Sequence, residues 1–442
     1  MTKKWQPYPT YKDSGVEWLG AIPEHWKVKK LKYLAKINLS NVDKKSNENE
    51  DTVKLCNYVD VYYNDYITKE IDFLIATASH EQKQKFALKK GDVLLTKDSE
   101  TWDDIAVPAC VANDLDNVIC GYHLAHIRPY QDRAIGEYIF RSISSTRLKE
   151  QFWVAANGVT RFGISKSSIS DALLLEPPVS EQQKIAQFLD QETSKIDNLI
   201  TKKERLIKLL KEKRTALISH AVTKGLNPDV PMKDSGVEWL GEIPEHWEIV
   251  PLRSVLEQRI EYNIGRKTQN ILSVIKDVVV VNYEDREASG NKKSENIEQY
   301  KIIYPSDIVV NRMNLIFGSV GIAREYGASS TEYYVLKPKS NKVCQEYYGH
   351  IFCSKSFQLS LVGIGKGILF HRMRIYSEEL KKILFPFPPL EEQKLINEYL
   401  IQNLNEINHL SDKLNTSIDH LKEYRTALIS AAVTGKIDVR EH

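Results

Sequence analysis

The sequence lacks the signals of several protein classes. Its five cysteines form no CxxC pair, so neither a disulfide framework nor a zinc knuckle is expected. No apolar run approaches the roughly 20 residues that cross a bilayer, and the first fifteen residues lack the apolar core of a signal peptide. No GxxxxGK[ST] phosphate loop is present, which argues against an ATP-driven translocase. A cytoplasmic protein with no membrane association is therefore expected.

Length and composition indicate a globular protein of more than one domain. The 442 residues exceed an ordinary single domain and predict two or three. Hydrophobic residues make up 42% and charged residues 27% of the chain, a balance typical of folded proteins. The net charge is only +2. A surface that binds nucleic acid would therefore need local clustering of basic residues.

The chain contains an internal repeat. Residues 12–26 (KDSGVEWLGAIPEHW) match residues 233–247 (KDSGVEWLGEIPEHW) at fourteen of fifteen positions. RTALIS recurs at 214–219 and 425–430, and PPxxEQ recurs at 177–182 and 388–393. The intervening segments, roughly 27–176 and 248–387, share little identity. Each variable segment thus lies between copies of the same repeated motifs, which we call the frames. This arrangement indicates two domains that perform the same function on two different targets.

Each PPxxEQ motif precedes a predicted long helix. The helix starts carry acidic residues that suit a positive helix N-terminus, and each run of about 43 residues without proline or glycine would extend about 64 Å. Both runs show apolar heptad positions in identical phase, which favours a mutual antiparallel coiled coil over two helices that each lie on a domain. These positions are Ile185, Leu189, Ile196, Leu199, Leu206, Leu210, Leu217, Ile396, Leu400, Ile407, Leu410, Leu414, Leu421 and Leu428.

The predicted fold is α/β (α+β), with two globular domains separated by the two long antiparallel helices and related by a pseudo-two-fold repeat. The expected divisions are a first target-recognition domain at 1–178, a central helix at 179–223, a linker and second domain at 224–389, a C-terminal helix at 390–433 and a tail at 434–442. A globular domain is expected at each end of the helical pair.

The order of these motifs closely resembles the specificity subunits of Type I restriction-modification systems over essentially the whole chain. The paired IPEHW segments and the PPxxEQ helix starts are the specific parts of the resemblance. It implies two target-recognition domains, each reading one half of a split sequence in double-stranded DNA across a fixed spacer. It also implies two methyltransferase subunits, which bind S-adenosylmethionine and methylate adenine, and two restriction subunits, which use ATP and Mg²⁺. This chain itself would hold no cofactor and no metal.

The residues offer little support for catalysis. An adenine methyltransferase would need an Asn/Asp-Pro-Pro-aromatic tetrad, but the two candidates, at 176–179 and 387–390, read EPPV and FPPL. The glycine-rich run at 363–367 lacks an uninterrupted helix and an acidic partner after it. Two alternatives remain: a self-sufficient methyltransferase or nuclease with tandem recognition domains, and a coiled-coil scaffold that never contacts DNA.

Basic and polar residues at loops and strand ends are the candidate DNA contacts. Glycine-containing basic loops precede both PPxxEQ motifs, and polar residues follow predicted strands at 92–96 and 307–311. Arginine can grip guanine, asparagine can pair with adenine, and lysine can take phosphate. The candidates are Tyr62, Lys97, Thr160, Arg161, Asn311, Arg312, Asn314, Lys366, His371 and Arg372.

Four tryptophans recur identically in the two frames: Trp18, Trp26, Trp239 and Trp247. Because they are identical, they cannot encode two different half-sites. They are predicted either to fix the junction of helix and domain or to bind the two methyltransferase subunits. The alternative is a place in the structural core.

Overall fold

The computed structural model describes residues 5–275, 278–282, 296–365 and 374–441, without the side chains of 275 and 278–282. The chain divides into two compact units. One comprises Met1–Lys203 with Thr416–His442, and the other comprises Glu204–Asn415. Among the helices described, none is long and apolar enough to cross a membrane.

The first unit contains a globular domain and parts of both long helices. Its strands are β1 (Tyr11–Asp13), β2 (Ala21–Pro23), β3 (Lys27–Lys30), β4 (Ala35–Leu39), β5 (Asp51–Cys56), β6 (Tyr66–Ile67), β7 (Leu74–Ala78), β8 (Val93–Thr96), β9 (Asp98–Ser99), β10 (Pro108–Val111), β11 (Val118–Cys120), β12 (Leu124–Pro129), β13 (Phe162–Gly163) and β14 (Leu173–Glu176). Its helices are α1 (Tyr58–Tyr62), α2 (His80–Phe86), α3 (Gly136–Ser144), α4 (Thr146–Val154), α5 (Lys166–Asp171) and the beginning of α6 (Val179–Lys224).

The main sheet of this domain has the order β4-β12-β8-β10-β6. Its neighbours are antiparallel except for β10 and β6, which are parallel. All four residues of β8 are buried, as expected for a central strand covered on both faces. Ile139 and Phe140 of α3 pack with Leu95 and Ile127 in the core beneath the sheet. A second sheet, β11-β5-β7, has its own apolar core.

The second unit repeats this plan. Its strands are β15 (Met232–Asp234), β16 (Glu242–Pro244), β17 (Glu248–Pro251), β18 (Leu256–Gln258), β19 (Leu272–Ile275), β20 (Val278–Asn282), β21 (Lys301–Ile303), β22 (Ile308–Asn311), β23 (Val320–Ile322), β24 (Gly327–Ser329), β25 (Tyr333–Pro338) and β26 (Leu384–Phe387). Its helices are α7 (Leu252–Val255), α8 (Gln345–Cys353), α9 (Lys355–Ser360), α10 (Ser377–Leu380), the end of α6 and the beginning of α11 (Leu390–Val433).

The sheet order in the second unit is β18-β25-β22-β23-β20-β19. The first five strands follow the order of the first domain, and the corresponding pair, β20 and β23, is again parallel. The predicted mixed fold with an internal repeat is thereby confirmed, although the two domains share little sequence between their frames.

The long helices pack against each other within each unit. In the first unit, Ile196 near the start of α6 clusters with Leu421 and Leu428 near the end of α11. There the two helices run in opposite directions, because Arg425 pairs with Asp197 while the chain beyond α11 reaches back to Lys184. In the second unit, the end of α6 and the beginning of α11 contribute to one apolar core.

The predicted heptad register gives each helix two columns of core positions, and one of them (189, 196, 203 and 210 on α6; 400, 407, 414 and 421 on α11) is correct. In the other column, Ile185 and Ile396 at the helix starts are buried. Further along the helices this column is wrong, because Leu199, Leu206 and Leu410 are 47%, 49% and 47% exposed. The positions that are buried or half-buried instead form a line of alternating four- and three-residue steps. They are Leu189, Thr193, Ile196, Ile200, Lys203, Ile207 and Leu210 on α6, and Leu400, Leu404, Ile407, Ser411, Leu414, Ile418 and Leu421 on α11.

The error has a simple cause. From the shared column (189, 196, 203, 210), the second column can lie three or four residues further along the helix. The predicted column of α6 (192, 199, 206, 213) and the observed one (193, 200, 207, 214) each hold two large apolar residues. A count of apolar side chains therefore cannot separate the two registers, whereas packing against the partner helix does so.

Candidate nucleic-acid interface

Three segments of the first domain meet at the end of the central strand β8. The backbone N–H of Lys97, which follows β8, donates to the carbonyl of His123 at 3.1 Å. The carbonyl of Lys97 accepts from the N–H of Ile164 at 2.9 Å. The strand end, the turn between β11 and β12 and the exit of the glycine-containing loop are thus joined through backbone atoms.

The glycine-containing loop is closed by its own backbone. The N–H of Asn157 donates to Gly163 at 3.0 Å and the N–H of Gly163 donates back at 2.9 Å. Gly158 has a φ of +154°, and a Cβ there would lie 2.0 Å from the carbonyl oxygen of Arg161, so only glycine fits. The closed loop leaves Thr160 and Arg161 exposed to solvent, where a polar ligand could reach them.

A carboxylate organises the side chains at this strand end. One oxygen of Asp98 lies 2.8 Å from Nδ1 of His123 and 3.3 Å from Nζ of Lys97. Nζ of Lys97 also lies 4.5 Å from the centre of the Tyr122 ring, a favourable position for a cation. We call Lys97, Asp98 and His123 the first strand-end node.

The predicted contact Tyr62 lies in α1 and is held in place. Its hydroxyl donates to both carboxylate oxygens of Asp104 at 2.9 and 2.8 Å, and its ring stacks on Tyr58 at 5.5 Å. The hydrogen bond to Asp104 raises the pKa of Tyr62 to about 12. Burial raises the pKa of Tyr58, and the nearby charge of Arg161 opposes this rise. Tyr62 is thus held by Asp104 and by the ring of Tyr58.

The second domain has the same backbone connections with different side chains. The N–H of Arg312, which follows β22, is directed at the carbonyl of Glu332 at 3.4 Å, and its own carbonyl accepts from Ile375 at 3.1 Å. Nε and Nη2 of Arg312 donate to the two carboxylate oxygens of Glu332 at 2.9 and 2.5 Å. We call Arg312 and Glu332 the second strand-end node.

The remaining predicted contacts in the second domain differ in accessibility. The side-chain oxygen of Asn311 accepts from the N–H of Met313 at 3.0 Å and is thus occupied within a turn. Asn314 is exposed. The other three predicted contacts lie outside the described residues: Lys366, His371 and Arg372.

The repeated frames meet at the start of each long helix. In the first unit, Glu181 of α6 accepts hydrogen bonds from Nε1 of Trp26 at 3.0 Å and from the hydroxyl of Tyr8 at 2.6 Å, and it lies 2.8 Å from Nε2 of His25. In the second unit, Glu392 of α11 accepts from Nε1 of Trp247 at 3.0 Å and lies 2.8 Å from Nε2 of His246. IPEHW and PPxxEQ are thus the two sides of one junction.

The glutamine of each PPxxEQ motif fixes backbone groups. Gln182 donates to the carbonyls of Pro177 and Arg133 at 2.9 and 2.8 Å and accepts from the N–H of Ile135 at 3.1 Å. Gln393 makes the three equivalent contacts in the second unit, with Pro388, Lys342 and Cys344. Both side chains are therefore fully used inside their own unit.

These contacts correct the prediction of a partner surface for two of the four tryptophans. Trp26 and Trp247 are 0% exposed, and a fully buried indole cannot contact a partner protein. They form the junction of helix and domain, which is the other predicted role. Trp18 and Trp239 are only partly buried, with Trp239 packed on Phe357, so a partner surface at these two residues remains a prediction.

Comparison with known proteins identifies the family. The sequence profile of the Type I restriction modification DNA specificity domain matches residues 23–209 and 244–420, one copy for each half of the repeat. The chain belongs to this family. Among the specificity proteins it resembles is the one described as the MjaX type I restriction enzyme specificity subunit of Methanocaldococcus jannaschii, which is 23% identical over 428 residues and 96% of both chains. The EcoBI specificity subunit of Escherichia coli is 25% identical over 64% of this chain and 62% of its own length.

Solved structures agree in fold. A chain from a structural study of complex assembly and conformational transition in the type I R-M system covers 94% of this specificity-family protein and 99% of that chain, with a TM-score of 0.68 and 16% identity. The crystal structure of the HsdS subunit from Thermoanaerobacter tengcongensis covers 94% of this chain and 98% of its own, with a TM-score of 0.54 and 16% identity.

Sequence reasoning missed three residues of the strand-end nodes. Asp98 directly follows the predicted contact Lys97, so an acidic residue next to a candidate basic residue was an available signal. His123 lies 25 residues after Asp98, so no local pattern in the sequence joins these two residues. Glu332 lies 20 residues after Arg312 and on another strand connection, so no local pattern in this specificity-family sequence could have joined the two.

Proposed function

We propose that this chain is the sequence-reading subunit of a Type I restriction-modification complex, with one half of a split DNA target recognised by each domain. The observation that carries the proposal is the contrast within the repeat. The junctions of helix and domain use the same Trp-His-Glu contacts twice, whereas the strand-end nodes present Lys, Asp and His in one domain and Arg and Glu in the other.

The exposed loop of the first domain supports the same function. Thr160 and Arg161 stand on a backbone that Gly158 closes tightly, close to the first strand-end node. Arginine and lysine at such positions can neutralise phosphates or hydrogen-bond to base edges in the major groove. Both kinds of contact are needed, because phosphate contacts position a protein on DNA while base contacts specify the sequence.

We further propose that the chain carries no catalytic site of its own and directs adenine methylation by two methyltransferase subunits. S-adenosylmethionine would bind to those subunits, and ATP and Mg²⁺ to the two restriction subunits of the full complex. The duplicated frame supports this stoichiometry, because two equivalent surfaces suit two copies of one partner.

Methylome sequencing tests the proposal. Cells that express this chain with its methyltransferase partner should gain methyladenine within one bipartite motif that has a constant spacer. The purified chain alone, incubated with S-adenosylmethionine and plasmid, should transfer no methyl groups. Turnover by the chain alone would favour a self-sufficient methyltransferase instead. Failure to shift DNA fragments in a gel, with and without the partner, would favour a scaffold.

An exchange of domains gives a sharper test. Replacement of residues 91–157 by the same segment of another specificity subunit should alter only one half of the methylated motif. The matched control is the same exchange in the second domain, over the segment that begins at Ser306, which should alter only the other half. A change in both halves after either exchange would contradict independent reading.

A further inference from the structure

The two ends of the central strand differ in their charged side chains. Asp92 and Asp307 precede the corresponding strands β8 and β22, and each is gripped by an arginine through two nitrogens. Arg128 donates to Asp92 at 2.8 and 2.7 Å, and Arg259 donates to Asp307 at 2.8 and 2.9 Å. Both aspartates are buried. An aspartate held by an arginine thus recurs at the strand beginning in both domains, although the arginine lies in β12 in the first domain and directly after β18 in the second.

The strand ends keep the same backbone but change the side chains. Lys97 connects through its backbone to His123 in a neighbouring turn and to Ile164, and Arg312 connects in the same way to Glu332 and to Ile375. The turn contributes His123 in the first domain and Glu332 in the second. The two domains therefore present different hydrogen-bonding groups at equivalent backbone positions.

Resting on the proposed function, we infer that the strand-end nodes are specificity-determining sites, with Arg312 selecting a guanine and His123 accepting from the exocyclic amino group of an adenine or cytosine. Glu332 and Asp98 act as positioning residues. Each holds its base-reading neighbour in one orientation before DNA arrives.

The geometry of the second node suits guanine. An arginine has five N–H donors in one plane, and Glu332 takes two of them through the fork at 2.9 and 2.5 Å. The carboxylate thereby fixes the plane of the guanidinium and reduces the side-chain entropy that binding would otherwise cost. A planar donor group fixed in this way matches the O6 and N7 acceptors of guanine in the major groove.

The first node suits an amino group. A carboxylate can only accept, so at 2.8 Å from Asp98 the Nδ1 atom of His123 carries the proton. In the neutral ring, Nε2 is then an acceptor. The amino groups of adenine N6 and cytosine N4 are the major-groove donors that such an atom can bind. Lys97 remains close by to take a phosphate or a further acceptor.

The test is methylome sequencing of the complete complex with single variants of this chain. R312K keeps the positive charge but loses the pair of hydrogen bonds that the planar guanidinium donates. E332Q weakens the hydrogen bonds that hold the guanidinium in place. Both should relax one base position in the second half-site, with loss of a preference of about 5- to 150-fold for guanine, and leave the first half-site unchanged. H123A should relax one position in the first half-site only. The base whose preference is lost at that position shows whether His123 reads adenine or cytosine.

Glu257 provides the matched control. It pairs with Lys337 at 2.9 Å on the neighbouring strands of the same sheet, so E257Q removes a comparable exposed carboxylate and should leave the motif unchanged. Thermal melting of every variant shows whether it folds. The inference would be overturned by node variants that melt like the wild type but keep both half-sites intact. It would also be overturned by such variants if they lowered methylation equally at all sites. A wild-type complex without any split motif would overturn the proposed function itself, and the nodes with it.

Discussion

Replacement of Glu181 should weaken the first unit more than replacement of Glu392 weakens the second. The two glutamates occupy equivalent places at the starts of the long helices. The Glu181 side chain is 6% exposed, whereas that of Glu392 is 26% exposed. Glu181 also accepts from Tyr8 at 2.6 Å. Glu181→Ala would leave two buried donors, Tyr8 Oη and Trp26 Nε1, without their acceptor.

The magnitude follows from the number of buried donors. A buried donor that loses its acceptor costs about 1–3 kcal/mol, so two donors give about 3 kcal/mol for Glu181→Ala. Glu392→Ala removes the acceptor of one buried donor, the indole N–H of Trp247, and should cost about 1.5 kcal/mol of unfolding free energy. The two histidines are too exposed, at 41% and 46%, for their pairs to add much. For domains of this size the expected drops in melting temperature are about 6–12 °C and about 3–6 °C.

Differential scanning fluorimetry with hydrogen exchange measured by mass spectrometry gives the readout. Exchange should rise around residues 8–26 in Glu181→Ala and around residues 242–247 in Glu392→Ala. Glu181→Gln keeps one acceptor oxygen and should fall between the wild type and Glu181→Ala. Equal shifts for the two alanine variants, or a shift below about 2 °C for Glu181→Ala, would refute the role given to the buried carboxylate.

Three further predictions concern stability. Burial lowers the pKa of His350 from its ordinary 6.5 to about 4. The unfolded chain therefore binds the proton first, and the second unit should lose about 3 kcal/mol as the pH falls from 6.5 to 4; urea unfolding should show this loss in the wild type and not in His350→Gln. Ile418→Ala should lower the free energy of unfolding by about 2–4 kcal/mol and Leu199→Ala by less than about 0.5 kcal/mol in the same assay. A larger effect for Leu199→Ala would favour the predicted heptad register over the observed one. Gly435→Ala should lower the free energy of unfolding by about 2 kcal/mol more than Gly236→Ala. Both glycines have a positive φ, but of the two only Gly435 would place a Cβ 2.4 Å from a neighbouring atom. Equal melting temperatures for the two variants would contradict that clash.

Much of the fold could be predicted because it depends on local patterns. The strands expected at 92–96 and 307–311 are observed as β8 and β22, since runs of β-branched and aliphatic residues bounded by polar ones carry their own signal. The long helices are equally visible as runs without proline or glycine. The exact face of each helix could not be predicted, because two registers carry the same number of apolar residues and only the partner helix chooses between them.

The candidate site was less predictable, because its contacts join residues that are distant in sequence. The loop at 157–163 was recognisable from its glycines and its arginine, and Lys97 from its place after a strand. Yet the pairing of Arg312 with Glu332 depends on which strands are neighbours in the sheet. The contacts between IPEHW and PPxxEQ were equally hard to predict, since the sequences of two repeated motifs do not show which of their atoms are in contact.

The division of labour between backbone and side chains explains how the two domains can keep one fold with so little common sequence. Gln182 holds its surroundings through two carbonyls and one N–H, and the strand-end nodes are joined to neighbouring segments by main-chain hydrogen bonds. Backbone groups are present whatever the residue, so these contacts survive substitution of the side chains around them. Side chains at the nodes are then free to change with the target, and a new half-site requires new node residues without a new scaffold.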